Sequence, residues 1–199
     1  MDRFKSQFIE LIKDRKEYTK LSHYSNLDIK TASKNISKES EIVYIEISSI
    51  DNITNRIKSP TRILFKDAPD SAKQILKEGD VLVSLVRPNL KKIAINTICE
   101  DNVVGTSGFC VLRANGNGTK EFIKSVVLSN EFTEKMISLS TGSTYPTIKN
   151  DNVLNYEVPI IEKDKINEFS KLVEQSDKSK FYCYKTKNYI NGGLKYVNI

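Results

Sequence analysis

The chain has a single histidine, His23, and three widely spaced cysteines, Cys99, Cys110 and Cys183, with no CxxC pair. That scarcity argues against a zinc site or a Cys-His catalytic couple, both of which need several such residues within reach of one another. The odd, scattered cysteines offer no disulfide framework and fit a reducing cytosol. Cys110 sits in the apolar run Gly108-Phe109-Cys110-Val111-Leu112, which reads as a buried thiol acting as a small hydrophobe. Long apolar runs are missing too. A stretch such as 81–86 falls far short of the roughly 20 residues a membrane helix needs. Residues 1–5 contain no signal-peptide core. The expectation is a soluble, unexported, cytoplasmic protein with no membrane association.

Catalytic motifs are equally scarce. There is no GxSxG elbow, HExxH helix or GxGxxG fingerprint. Gly105-Thr106-Ser107-Gly108 resembles a phosphate-cradling loop only superficially, because no Gly-Lys-Ser/Thr follows and a strand pattern comes next. It reads as a turn. A methyltransferase would need an adenosyl-methionine loop and an Asn/Asp-Pro-Pro-aromatic motif, and neither occurs. His23 lies beside Tyr24 in a polar stretch and reads as solvated. The expectation is a non-enzyme with no catalytic residue, no metal and no cofactor.

What is present is a chain of 199 residues with net charge +6, enough for one good-sized domain or a domain plus an appendage. The charge excess favours phosphate or an acidic surface without naming either. Residues 3–17 carry Phe4, Phe8, Leu11 and Ile12 at helical spacing. Residues 24–40 are polar and read as loop. Strand patterns follow at 43–47 and 62–65, and two runs, 79–86 and 91–95, flank Arg87-Pro88-Asn89-Leu90 as a hairpin. A strand is expected at 107–112. Thr119 is placed as a helix N-cap, a break is expected at Ser129-Asn130, and a last strand covers 155–161.

From Asp164 onward, Ile166, Phe169, Leu172 and Val173 repeat at three- and four-residue intervals. The pattern predicts a helix over about 163–190, roughly 27 residues and about 40 Å long. A helix of that length placed after a complete domain pairs with another helix; the alternative is a helix lying on its own domain. The expected fold is α/β (α+β), with a curved mixed or antiparallel sheet, flanking helices and a long C-terminal helix. Residues 1–160 form the body, and 161–199 a spacer or dimerisation helix.

Two clusters carry binding chemistry. Arg87, Asn89, Lys91 and Lys92 gather at the hairpin tip, where cations match phosphates and Asn matches an adenine edge. Thr141-Gly142-Ser143-Thr144-Tyr145-Pro146-Thr147-Ile148-Lys149 offers small hydroxyl residues around a Gly, with Ser143, Thr144, Tyr145 and Lys149 as contact groups. Polar loops at 25–40 and 51–62 add Lys34, Arg56 and Lys58, among other cations. Each cluster also has a plain alternative, a solvated tip or a structured connection.

At this point the residues resemble a known family. The 79–94 hairpin, Gly105-Thr106-Ser107-Gly108-Phe109-Cys110-Val111-Leu112-Arg113, the 141–149 loop, and Val158-Pro159 followed by a helix with Glu174-Gln175-Ser176-Asp177-Lys178-Ser179-Lys180 resemble, in order, the target-recognition domains and spacer helices of type I restriction-modification specificity subunits. So does the opening Lys5-Ser6-Gln7-Phe8-Ile9-Glu10-Leu11. The resemblance implies reading of half of a split site in double-stranded DNA, with methyltransferase and restriction subunits as partners. A full subunit has two recognition domains and two spacers where 199 residues hold one of each, so the resemblance implies a half-length subunit or an excised fragment of one. The apolar stripe of the C-terminal helix has no obvious partner in a completed domain, so a homodimer through that helix is expected, as the pseudo-symmetry of the family suggests. Two rival readings remain open: a module for a non-DNA ligand, and a helix-mediated assembly module.

Overall fold

The computed structural model describes residues 3–13, 15–26 and 28–175. They form two compact units, residues 14–160 and residues 3–13 with 161–175. The strands are β1 (Tyr18–Lys20), β2 (Ser25–Asn26), β3 (Glu41–Ile45), β4 (Ile50–Asp51), β5 (Arg56–Ile57), β6 (Thr61–Leu64), β7 (Ala72–Ile75), β8 (Val81–Ser84), β9 (Ile93–Ile95), β10 (Val103–Thr106), β11 (Phe109–Ala114) and β12 (Glu157–Pro159). The helices are α1 (Arg3–Ile12), α2 (Lys120–Leu128), α3 (Asn130–Leu139), α4 (Asn150–Leu154) and α5 over 163–175.

The larger unit holds two four-stranded sheets, ordered β6-β3-β10-β7 and β2-β11-β8-β9, and two strand pairs, β1-β12 and β4-β5. The first sheet is mixed, because β10 runs parallel to β3 and antiparallel to β7. The second is antiparallel throughout. The fold class is therefore the α/β one expected, divided between two sheets rather than carried by one. Val43, Ile45, Leu76, Leu82, Val103 and Phe109 form one apolar cluster. Each is at most 3% exposed, so β3, β8, β10 and β11 supply most of that core. Of these, β8 and β11 read as continuous apolar runs because both of their faces are covered.

Helix starts follow local chemistry. Thr119 Oγ1 accepts from the Phe122 amide at 3.2 Å, and Ser129 Oγ accepts from the Phe132 amide at 3.1 Å. Ser129 ends α2 and starts α3, the break read from the sequence. Other boundaries moved. The first helix stops at Ile12, before Lys16. Val103–Thr106 is a buried strand, so only Ser107 and Gly108 make the turn. The short, Gly-containing run hid β10, whose strand character comes from β3 and β7 on either side. The 25–40 stretch also holds β2 and a 3-10 turn at Ala32–Lys34.

Asp80 is fully buried. Both of its oxygens accept from the Arg113 guanidinium at 2.7 Å, and Oδ2 also accepts the Lys77 amide at 2.7 Å. The fork ties the start of β8 to the end of β11. The Asp80 carboxylate raises the pKa of Arg113 above its ordinary value.

In the smaller unit, Phe8 of α1 meets Phe169 of α5, ring centroids 5.9 Å apart. Ile166 and Phe169 are buried, Val173 is half-buried and Leu172 is 40% exposed. The remainder of the helix expected at 163–190 lies outside the described residues, as does Cys183.

Burial pushes the Cys110 thiol up to about 12, with the Asp151 charge adding to it. Cys99 is exposed, and Glu78 beside it raises its pKa. Iodoacetamide at pH 8, read by peptide mass spectrometry, is expected to label Cys99 slowly in the native protein and Cys110 only in denaturant, since the thiolate is the reactive form. Equal labelling of the two in the native state would contradict the burial of Cys110.

Candidate functional site

Three polar segments meet at one end of β8 and β9. The first is the connection 85–92, which contains a 3-10 turn at Pro88–Leu90 flanked by Arg87 and Lys91, at φ 50° and 47°. Two left-handed residues beside a proline make a sharply bent loop in place of a simple two-residue turn. The second is the 141–149 segment. Its Thr141 and Thr147 exchange backbone hydrogen bonds, both 2.9 Å, which closes it into a small ring. Gly142 sits at φ 94°, and a Cβ there would lie 3.1 Å from the Tyr145 carbonyl oxygen, so the ring needs glycine.

These two segments are stitched together. The Ile148 amide donates to the Leu85 carbonyl at 2.9 Å, and the Arg87 amide to the Pro146 carbonyl at 2.7 Å. The Arg87 guanidinium lies over the Tyr145 ring, 4.5 Å from its centroid, and reaches the Thr144 carbonyl at 3.4 Å. A guanidinium on an aromatic face gains about 0.5–1 kcal/mol at an exposed site. Ser143, Thr144, Tyr145 and Lys149 are exposed, Tyr145 by 64%. The Lys149 amide donates to Asn152 Oδ1 at 2.8 Å, which starts α4 and leaves the side chain in solvent.

The third segment is the hairpin 50–58, made of β4, β5 and the turn between them. Asp51 Oδ1 accepts from the Ile53 and Thr54 amides at 2.8 and 2.9 Å, and the Asp51 carboxylate pairs with the Lys58 ammonium. That pairing, with the two amides, holds the Asp51 carboxyl well below the usual carboxylate range. The native pKa is depressed, so the stabilisation is complete above the unfolded value near 4 and is lost only as pH falls further into acid. Asn55, at φ 52°, donates from Nδ2 to the Lys91 carbonyl at 3.1 Å. The Lys92 ammonium donates to the Ile50 carbonyl.

Of the residues singled out in the sequence, Arg87, Asn89, Ser143, Thr144, Tyr145, Lys149, Arg56 and Lys58 lie on these three segments, and Asn89 and Arg56 are exposed. Lys91 and Lys92 lie there too, with their ammonium groups turned onto the protein. Lys91 donates to the Leu128 carbonyl at 3.3 Å and to Asn130 Oδ1 at 2.9 Å, at the junction of α2 and α3. Lys34 stands apart, exposed on the 3-10 turn that packs against β7 of the other sheet. Sequence reasoning missed Asp51, Asn55 and Asn130. The Asp51-Asn52 and Asn55 turn chemistry was a usable signal for the first two; nothing local marks Asn130. His23 is exposed, as read. Among the described residues, no group of three or more His, Cys, Asp and Glu side chains is placed to hold a metal ion, and no helix is long and apolar enough to cross a membrane.

The class of protein defined here is a mixed α/β domain that presents three polar, cation-bearing segments at one end. No family model matches the chain. It is 30% identical over 153 residues to the type I restriction enzyme HindI specificity subunit of Haemophilus influenzae, covering 72% of this chain and 33% of that one. The HsdS subunit of Thermoanaerobacter tengcongensis superposes with TM-score 0.68 at 26% identity, over 89% of this chain and 46% of that one. A chain from a structure of type I restriction-modification complex assembly and conformational transition also superposes with TM-score 0.68, at 25% identity, over 92% and 49%. The chain therefore carries a domain of the type I restriction-modification specificity-subunit family. It spans between a third and a half of the length of these relatives.

Proposed function

We propose that the chain recognises a specific sequence in double-stranded DNA and brings methyltransferase and restriction subunits to it in the cytoplasm, adding no catalysis of its own. The observation that carries this reading is the stitched loop group, which sets Arg87, Tyr145, Thr144 and Arg56 on one braced set of segments in a domain of the specificity-subunit family. Residues 14–160 serve as the recognition domain and the chain from 161 onward as the spacer, with α1 packed on the spacer rather than on the body the sequence placed it in.

Arg87, Arg56 and Lys149 supply phosphate contacts, Lys34 adds one from the 3-10 turn beside the other sheet, and Lys58 holds its turn through Asp51. Asn89, Ser143, Thr144 and Tyr145 reach base edges. Lys91 and Lys92 hold the loops in place, since their ammonium groups are occupied by protein carbonyls. Two chains pair through Leu172 and Val173, with Ile166 and Phe169 folded inside each copy. A Leu172→Asp, Val173→Asp variant is expected to sediment as a monomer at tens of micromolar, and a wild-type monomer there would count against pairing.

The deciding experiment is selection from randomised duplexes by the full chain with its methyltransferase subunit. One enriched sequence is expected. Tyr145→Phe with Thr144→Ala should relax preference at one or two base pairs, each worth about 1–3 kcal/mol. Arg87→Ala should weaken binding to every sequence and lower the salt slope by roughly one. Failure to enrich any sequence would overturn the reading.

A further inference from the structure

Ile53 is 88% exposed, at the tip of the turn between β4 and β5. Scattered exposed apolar residues are ordinary; the scaffold beneath this one is not. Asp51 accepts the Ile53 and Thr54 amides, Lys58 pairs with Asp51, Asn55 ties the turn to the Lys91 carbonyl, and Lys92 ties it to the Ile50 carbonyl. The turn is thus fastened from both sides to the loop that carries Arg87. A tip held this way presents its side chain with little ordering left to do on binding. Its chain neighbours Asn52, Thr54 and Arg56 are polar and exposed, so Ile53 is the apolar point of an otherwise polar turn that also carries a cation.

We propose that Ile53 is a specificity-determining residue that packs against the C5-methyl group of a thymine in the major groove. The proposal rests on the DNA-recognition reading above and adds to it a residue and a base. The major groove presents one methyl per A·T pair among polar edges, flanked by phosphates. That surface complements a lone aliphatic side chain beside Arg56 better than an apolar protein face would.

The test uses the full chain with its methyltransferase subunit and the duplex recovered by selection. Each thymine is replaced in turn by deoxyuridine, which removes only the methyl group. With wild-type protein, one position is expected to lose about fourfold in affinity, the worth of one buried methyl. With Ile53→Ser the same replacement should have no effect, because the partner of the methyl is gone; Ile53→Leu should keep part of the effect. Thermal unfolding of Ile53→Ser should match wild type, given the exposure of the side chain. If selection succeeds and no thymine methyl couples to Ile53, this inference fails alone. If no duplex is enriched, the DNA reading fails and the inference with it.

Discussion

Replacing Asp80 by Ala is expected to cost about 3–5 kcal/mol of stability, the range for removing one partner of a buried ion pair. Asp80 is fully buried and accepts three hydrogen bonds at 2.7 Å, two from Arg113 and one from the Lys77 amide. The variant leaves Arg113, whose side chain is only 19% exposed, without its carboxylate. It also leaves the Lys77 amide without its acceptor. For a chain of this size the loss corresponds to a fall of about 6–20 °C in Tm. Asp80→Asn keeps one acceptor oxygen and should fall between the two. Urea unfolding followed by circular dichroism measures this directly, and a loss below about 1 kcal/mol would show that the fork contributes little.

Phe132→Ala is expected to cost a similar 3–5 kcal/mol and to damage recognition as well. Phe132 is 3% exposed and meets Tyr156 edge-on, ring centroids 4.9 Å apart. It lines one small cleft with Pro88, Lys91, Met136 and Ile148. Pro88 and Lys91 belong to the 85–92 loop, and Ile148 anchors the 141–149 segment. A cavity there removes the floor under both loops, while Arg87 and the other surface cations keep their charge. Sequence-specific affinity should therefore fall by more than tenfold at temperatures where the variant is folded, and non-specific affinity should change little. An equal fall in both would place Phe132 outside the support of the loops.

Much of the local structure was legible before any coordinates. Thr119 and Ser129 mark helix starts because a side-chain oxygen three residues ahead of an orphan amide is a local arrangement. The 81–95 hairpin was legible because two β-branched runs flank a proline-containing turn. β7 and β10 were not, since Ala72–Ile75 carries Lys73 and Gln74, and Val103–Thr106 is too short to show a period. Their strand character comes from partners about 30 to 60 residues away in the chain.

The same distinction runs through the candidate site. By itself the sequence determined where the loops lie, which residues on them carry charge or hydroxyl groups, and that Cys110 belongs to an apolar run. Only the tertiary structure decided what each charge is for. Arg87, Lys91 and Lys92 sit within six residues of one another and read alike, yet Arg87 lies over an exposed tyrosine while Lys91 and Lys92 cap carbonyls 37 and 42 positions away. The reason is geometric. A lysine is committed when an orphan carbonyl falls within hydrogen-bond reach of its ammonium group, and the position of that carbonyl is set by packing between distant segments.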